Sequence, residues 1–388
     1  MATTTVIALF FIIRAIDLLI AAIAPYFITY LGFFPYKELL DLSRLPPFLA
    51  SFGNFDGTHY IKIASHGYEN YEQAFFPLYP LLIRFTAPLF GHNVVVSGLI
   101  ISWIFGALGM AIFTSYLSGV LTDKKRIRWA IIFLVSYPTS FFFGAIYGES
   151  LFFFLVASAL WSLQKKHYTT AAITAALASS SRFAGIFLII PFVIAVLTAH
   201  DKSRSIALKK HTLRNVALLI SPIIGLAAYM LYLIATTGDA LYFITVQPVF
   251  GAYRSTHIIL LPQVIYRYLK IFITANHDFR YYVAVLEFGM FITMLSAVIA
   301  EIVILYKSFT KNNNWPRLGL ALFSLAYILL PTLTGTLSSM PRYSLLALSA
   351  YVSFAGIPSK ALRYLLAGIF GAVHVFTLAY FIQGYFIS

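Results

Sequence analysis

The chain has 388 residues, of which 60% are hydrophobic and only 10% charged, and its mean hydropathy of +0.85 excludes a soluble domain of ordinary composition. It contains no cysteine, which excludes disulfides, thiol catalysis and cysteine metal sites. The net charge of +14 does not indicate nucleic-acid binding, because the basic residues gather in short clusters between apolar segments. This pattern is typical of a polytopic membrane protein.

The basic clusters predict which connections are cytoplasmic. Those at 123–128, 165–166, 201–214, 307–317 and 360–363 contain more than half of the 27 Lys and Arg, but only two of the 13 acids. Cytoplasmic loops of membrane proteins are enriched in Lys and Arg. We therefore predict a cytoplasmic N-terminus and an outer side that carries most of the acids.

In chain order, the apolar segments predict an all-α protein with about 11 transmembrane helices in a single domain, residues 1–388. The first segment is too long for a cleavable signal and is expected to be a span. The predicted spans are about 5–30, 93–121, 129–143, 150–164, two short helices within 168–199 that turn near 179–185, then 215–236, 282–306, 318–334, 343–357 and 362–386. The outer regions 31–92 and 237–280 are expected to form the active-site side.

The first outer region contains a polar stretch, 52–80, rich in acids, histidines and tyrosines. Asp56 precedes a segment with helical spacing that Gly67 ends. His59, Lys62 and His66 share one face, which predicts a short amphipathic helix along the outer interface. Asp56 is then either the cap of this helix or a group that carries chemistry.

Three more charged residues lie in predicted turns at the outer membrane edge: Glu149, Arg182 and Arg342. Charge at such depths is costly unless it is paired or faces a polar cavity. Convergence of the three with Asp56 would form one acidic and basic pocket. Interfacial snorkelling or structural ion pairing is the alternative for each of them.

Other polar residues inside predicted spans indicate less. Arg14 and Asp17, spaced i and i+3, are expected to form a structural pair. Glu287 is isolated and receives no assignment. His59 and His66 are further apart than a helical metal pair, and no nucleotide or dinucleotide motif is present. No cofactor is predicted, and metal dependence stays open.

Several motifs together resemble one family, the phosphatidylinositol-glycan class V mannosyltransferases of the GT-C superfamily of polytopic glycosyltransferases. The matching segments occur in order, all on predicted outer-facing segments: Phe55-Asp-Gly-Thr-His-Tyr60, Ile63-Ala-Ser-His-Gly-Tyr68, Ala74-Phe-Phe-Pro-Leu-Tyr-Pro80, Tyr147-Gly-Glu-Ser-Leu151, Ser181-Arg-Phe-Ala-Gly185, Gln247 and Met340-Pro-Arg-Tyr343. Phe55 and Phe250 stand where the family pattern has tryptophan, so both positions keep an aromatic surface.

The resemblance implies an inverting glycosyltransferase that moves a hexose, mannose by family, from a polyprenyl-phosphate or dolichyl-phosphate donor to a hydroxyl of a glycan or glycolipid outside the cytoplasm. Asp56 is the candidate base, since a carboxylate can take the acceptor proton. Arg342 and Arg182 are the candidate partners of the leaving phosphate. The remaining candidate substrate-binding residues are Arg254, Lys62, Glu149, His59, Tyr60, Gln247 and Tyr343.

Two other classes of protein fit the same composition. A transporter or flippase of a lipid-linked sugar would share the basic pocket, but would place acids and broken helices near the bilayer midplane. A structural membrane scaffold would have no pocket. The concentration of Asp, His, Tyr and Arg in the outer segments favours the enzyme over both.

Overall fold

The computed structural model describes residues 3–200, 208–251, 254–308 and 314–387. Within these ranges the regular secondary structure consists of α-helices and short 3₁₀ helices, with no β-strand, so the all-α prediction is confirmed. In chain order the α-helices are α1 (Thr3–Ile23), α2 (Glu38–Asp41), α3 (Pro47–Ala50), α4 (Asp56–His66), α5 (Leu78–Thr86), α6 (Val94–Val120), α7 (Lys124–Ser136), α8 (Glu149–Gln164), α9 (Tyr168–Ser181), α10 (Ile189–His200), α11 (Leu208–Thr237), α12 (Tyr242–Thr245), α13 (Leu261–Thr274), α14 (Phe279–Ser308), α15 (Trp315–Thr332), α16 (Met340–Ser344), α17 (Leu348–Ala355) and α18 (Lys360–Ile382).

Six helices in the described part of the chain are long and apolar enough to cross a membrane: α1, α6, α11, α14, α15 and α18. The region of α5, the helix α8 and the region of α10 form shorter apolar helices. The predicted count of about 11 spans also depends on short helices such as α7, α9 and α17. That count therefore stays a prediction.

Most predicted span boundaries agree with the helices because local signals set them. Asn93 begins α6 by accepting hydrogen bonds from the backbone N–H groups of Val95 and Val96. The predicted break at 179–185 is confirmed, since α9 ends at Ser181 and a 3₁₀ turn, Phe183–Leu188, leads into α10. Glycine is required beside this break, because a Cβ atom on Gly225 of α11 would lie 2.0 Å from the carbonyl oxygen of Ala176.

The predicted span 343–357 is wrong as a single helix. The chain instead forms two short helices, α16 and α17, separated by residues 345–347. A side chain replaces a helical hydrogen bond at the break, because the Tyr351 hydroxyl donates to the carbonyl oxygen of Leu345 at 2.9 Å. Hydropathy alone does not reveal this interruption, since residues 345–347 at the break are themselves apolar and buried.

Helix α8 lies at the centre of the bundle and is buried along most of its length. It packs against α6 and α9, while α9 packs against α11, and α10 packs against α15. The first residue of α8, Glu149, therefore lies beside the last turn of α9 and the segment that follows α15. These helix ends form one end of the bundle, where the polar residues meet.

The predicted pair of Arg14 and Asp17 is confirmed and is part of a larger buried network. The two side chains lie 2.9 Å apart, and Asp17 also lies 2.8 Å from Nε2 of His374. Arg14 donates to the backbone oxygen of Ser140 at 3.0 Å. The network joins α1 to α18 and to the segment before α8, and every charge in it has an opposite or hydrogen-bonding partner.

A second buried network lies near the other end of the bundle. Glu301, near the C-terminal end of α14, contacts Arg126 at 3.4 Å and Arg317 at 2.6 Å. Arg126 and Arg317 belong to the predicted cytoplasmic clusters. Parts of those clusters, including Lys202, Arg204 and Lys311, lie outside the described residues.

The helix predicted in the first outer region is present as α4, but it is not a surface helix. Residues 57, 58 and 60–64 are buried, whereas Ser65 and His66 are exposed. The position predicted for it along the outer interface is therefore wrong for Lys62, which is only 8% exposed. The helix packs against α5 and α6, so both of its faces contact protein.

Candidate active site

Asp56 is the first residue of α4, and its carboxylate makes no helix-capping hydrogen bond. Its Oδ2 instead lies 2.5 Å from Nη1 of Arg342, a residue 286 positions later in the chain. The interpretation of Asp56 as a helix cap is therefore wrong. A quarter of the Asp56 side chain remains exposed, so it is accessible from the cavity that it lines.

The residue before Asp56 holds an unusual backbone conformation. Phe55 has φ of +59°, a region that residues with a Cβ atom rarely adopt. Its ring packs against the rings of Phe34, Phe381 and Phe386, with centroids 4.9–5.7 Å away. These contacts come from three different segments and hold the strained turn that places Asp56 at the start of α4.

Four charged side chains form a row in which acids and arginines alternate: Asp56, Arg342, Glu149 and Arg182. Oε1 of Glu149 lies 2.7 Å from Nη1 of Arg182 and 3.6 Å from Nε of Arg342. The side chains of Glu149, Arg342 and Arg182 are 2%, 6% and 14% exposed, so Asp56 is the most accessible of these four side chains. The structure thus brings together all four residues whose convergence the sequence predicted, and each buried charge has a partner.

Arg342 determines the protonation of Asp56. Burial alone would raise the pKa of Asp56, but the positive charge and hydrogen bond of Arg342, with smaller contributions from His59 and Arg254, lower that pKa below its ordinary value. Asp56 is therefore ionised at neutral pH and can accept a proton.

Aromatic rings enclose the two arginines. The guanidinium of Arg342 lies 5.3 Å from the ring centre of Tyr147 and 5.7 Å from that of Tyr343. The guanidinium of Arg182 lies 5.3 Å from the same Tyr343 ring. Tyr343 thus contacts both cations, which limits their movement and excludes water from one side of each.

The four charged side chains line a cavity of about 880 Å³ at this end of the bundle. Its walls come from the first outer region, the break between α9 and α10, the segment around Gln247, and the end of α15 with the start of α16. The predicted residues that line it are Asp56, His59, Tyr60, Glu149, Arg182, Gln247, Arg254, Arg342 and Tyr343. A volume of this size is in the range of small-molecule sites in proteins.

His59, which follows Asp56 by three residues in α4, lies in an aromatic frame. Its ring stacks on Phe75 with centroids 4.8 Å apart, and the rings of Tyr36 and Phe250 meet it edge-on. Its Nδ1 lies 3.9 Å from Oε1 of Glu72, which is buried. Phe250, one of the two positions that differ from the family pattern, is therefore part of this frame and presents an aromatic face to the cavity.

Lys62, one of the candidate substrate-binding residues, is not among the residues that line the cavity. Its Nζ lies 2.7 Å from Glu69, 3.2 Å from Glu72 and 2.9 Å from the hydroxyl of Tyr36. Burial would lower the pKa of Lys62, but hydrogen bonds to Glu69, Tyr36 and Glu72 raise it. Lys62 therefore stays charged and supports the wall that carries His59.

The sequence did not predict several other polar residues that line the cavity. Glu72, Ser181, Tyr327 and Ser339 contribute to its wall. The hydroxyl groups of the last three are buried and have no hydrogen-bond partner among the described residues. Ser181 could have been found because it adjoins Arg182, whereas Tyr327 lies in an apolar stretch of α15 with no motif beside it. Within the described ranges, no three His, Asp or Glu side chains are arranged to hold a metal ion.

The fold and this cavity define an integral membrane protein with a charged, aromatic-lined site at one end of its helical bundle. The family model described as mannosyltransferase (PIG-V) matches residues 43–270, which is more than half of the chain. The chain therefore belongs to the PIG-V mannosyltransferase family. The matched segment contains Asp56, Glu149, Arg182 and Gln247, whereas Arg342 lies beyond its end.

A curated relative is GPI alpha-1,6-mannosyltransferase 2 of Cricetulus griseus, 28% identical over 148 residues that cover 36% of this chain. The alignment spans only 30% of that relative's length. Among solved structures, oligosaccharyltransferase AglB of Archaeoglobus fulgidus with an inhibitory peptide and a dolichol-phosphate has a TM-score of 0.44 at 13% identity, over 96% of this chain and 55% of that one. The same enzyme tethered to an acceptor peptide has a TM-score of 0.45 at 13% identity, over 97% and 55%.

Proposed function

We propose that the protein is an inverting mannosyltransferase that uses a polyprenyl-phosphate sugar as donor and a glycan or glycolipid hydroxyl as acceptor. Membership of the PIG-V family supports the reaction class. The observation that carries the proposal is the contact of one accessible carboxylate, Asp56, with the buried Arg342, which Glu149 links to Arg182, at a cavity of about 880 Å³. A base and a phosphate-binding cation are the two groups that this reaction requires next to each other.

Asp56 is the proposed general base. It accepts the proton of the acceptor hydroxyl as that oxygen forms a bond to the anomeric carbon of the sugar. The bond from the anomeric carbon to the phosphate oxygen breaks, and its electron pair leaves with the phosphate. Direct attack from the side opposite the phosphate inverts the anomeric centre. A retaining enzyme needs a second carboxylate as nucleophile, whereas Glu149 is held by Arg182 and Arg342.

Arg342 and Arg182 are the proposed partners of the leaving phosphate. Both line the cavity, and Glu149 holds both guanidinium groups in place before substrate arrives. Negative charge on the phosphate grows as the glycosidic bond breaks, so fixed cations stabilise the transition state more than the ground state. Arg254 lines the same cavity and is the third candidate. His59, Tyr60, Gln247 and Tyr343 are proposed to orient sugar and acceptor.

We also propose that the cavity faces the extracytoplasmic side. Glu149 and Arg182 lie at the end of α8 and α9 that is remote from the predicted cytoplasmic clusters, which include Lys165 and Lys166 after α8. Along α14, Lys307 and Glu301 lie at the end opposite Glu287. Separation of these basic clusters from the cavity supports this orientation under the positive-inside rule.

The proposal is tested with purified protein in liposomes, given an acceptor glycolipid and a panel of polyprenyl-phosphate hexoses. We expect mass spectrometry to show a product heavier by one hexose, formed best from the mannose donor, with the anomeric configuration opposite to that of the donor. Movement of the lipid-linked sugar across the bilayer without a new glycosidic bond would instead establish the transporter alternative.

The pH dependence follows from the lowered pKa of Asp56. Above that pKa the carboxylate is ionised and can act as base, so the acidic limb of kcat/KM should lie below the ordinary aspartate pKa of about 3.9. Replacing Arg342 by glutamine removes the largest influence that lowers the pKa of Asp56, while burial, which raises that pKa, remains. The acidic limb of the residual activity should then move to higher pH than in the wild type. A limb that stays in place in the variant would contradict the assignment of Asp56 as the base.

A further inference from the structure

The loop that leads from α15 to α16 is held by side chains of two neighbouring helices. Arg267 of α13 donates from Nη1 to the carbonyl oxygen of Gly335 at 2.8 Å. The hydroxyl of Tyr268, also in α13, accepts a hydrogen bond from the backbone N–H of Leu337 at 3.1 Å. Oε1 of Glu287 in α14 accepts one from the backbone N–H of Ser339 at 3.2 Å. Every second residue of this loop thus has an external anchor.

Two of these anchors are coupled to each other. The Tyr268 hydroxyl donates to Oε2 of Glu287 at 2.6 Å, so each carboxylate oxygen of Glu287 accepts one hydrogen bond. Tyr268 is 4% exposed and Glu287 is 6% exposed. Burying a carboxylic acid costs folding free energy unless its oxygens are hydrogen-bonded. Here the backbone of the loop donates the hydrogen bond to one of the two oxygens.

The anchor at Ser339 determines where α16 begins. Ser339 has φ of +65°, the left-handed region that residues with a Cβ atom disfavour. Its carbonyl oxygen accepts the backbone N–H groups of Arg342 at 3.1 Å and Tyr343 at 3.0 Å. Because α16 has only five residues, it is too short to be stable by itself and depends on this start.

We propose that Glu287, together with Tyr268, is a positioning residue that holds Ser339 so that Arg342 reaches Asp56 and the phosphate of the donor. Glu287 does not line the cavity, whereas Ser339 and Arg342 do, so Glu287 acts through the loop. The binding test of this inference, on the affinity for polyprenyl phosphate, rests on the proposed function. The structural test, on hydrogen exchange of the loop, does not.

The functional test is a double-mutant cycle on the affinity for polyprenyl phosphate, measured on purified full-length protein in nanodiscs. Glu287→Leu should weaken binding about tenfold, because Ser339 loses its anchor and Arg342 is no longer held. In the Arg342→Ala background the same change should have no further effect. Glu287→Gln should restore most of the affinity, since an amide oxygen still accepts the Ser339 N–H. If the double variant loses affinity by the product of the two single-variant factors, the inference is overturned.

The matched control is Glu301→Gln, which changes another buried glutamate of the same helix near its other end, between Arg126 and Arg317. This variant should leave the affinity for polyprenyl phosphate within about twofold of the wild type. A loss equal to that of Glu287→Leu would show that any disturbance of α14 weakens binding, and would overturn the specific role of Glu287.

Hydrogen exchange without ligand separates this inference from the proposed function. Peptides covering 337–343 should exchange at least about tenfold faster in Glu287→Leu and Tyr268→Phe than in the wild type, and at the wild-type rate in Glu301→Gln. Unchanged exchange of this segment in Glu287→Leu would overturn the positioning role. If the wild-type protein binds no polyprenyl phosphate, the donor assignment fails, and the exchange rates alone decide on Glu287.

Discussion

Replacement of Asp56 by asparagine should abolish sugar transfer while the protein remains folded. Asparagine has nearly the same size and can still contact Arg342, but its amide cannot take a proton from the acceptor hydroxyl. Loss of a general base typically costs a factor of about 10² to 10⁴ in rate. We expect a loss of at least this size in kcat, with the donor still bound, measured by product formation from a polyprenyl-phosphate hexose.

Asp41→Asn is the matched control for this variant. Asp41 lies in the same outer region, its side chain is 70% exposed, and its nearest cation is Lys37 at 3.9 Å. This substitution removes one carboxylate without touching the cavity, and transfer should stay at the wild-type rate. Wild-type transfer by Asp56→Asn, in protein of unchanged thermal stability, would remove Asp56 as the base.

Replacement of Arg342 by alanine should weaken use of the donor much more than use of the acceptor. The guanidinium is buried between Asp56 and Glu149, and no other described arginine contacts both acids. Removal of one fixed group that stabilises developing charge typically costs a factor of about 10² to 10³ in rate. We therefore expect kcat/KM for the donor to fall by about this factor, and the KM for the acceptor to change by less than about threefold.

Two further variants sharpen this experiment. Arg342→Lys keeps the charge but not the two-pronged geometry, so its activity should fall between those of the wild type and Arg342→Ala. Arg280→Ala removes an exposed arginine at the start of α14 and should have no effect. A rise in acceptor KM with unchanged kcat/KM for the donor would place Arg342 on the acceptor instead of the phosphate.

The sequence predicted the positions of the site residues better than their contacts. The motifs around Asp56, Glu149, Arg182 and Arg342 lie in predicted outer turns, and the structure brings all four together. The helix-cap interpretation of Asp56 was wrong because a local rule cannot account for a partner 286 residues away. Lys62 has the charge of a phosphate ligand, but Glu69 and Glu72 hold it outside the cavity lining.

Glu287 illustrates the same limit. In the sequence it is a single acid in an apolar segment, and its spacing indicates neither a partner nor a role. Its two hydrogen-bond partners, Tyr268 and the backbone of Ser339, come from a different helix and from a loop 52 residues away. Only the packing of α13 and α14 against that loop brings these groups together.

The sequence by itself determined what depends on local composition. Helices form where apolar segments are long enough, they end at capping residues and glycines, and the basic clusters predict an orientation, because each of these effects acts within a few residues of the chain. The tertiary structure decided which charges meet. Asp56 faces Arg342, Glu149 holds two arginines, and Glu287 anchors a loop, because the pairing of buried charges depends on how distant helix ends pack and on the cost of leaving any of those charges unpaired.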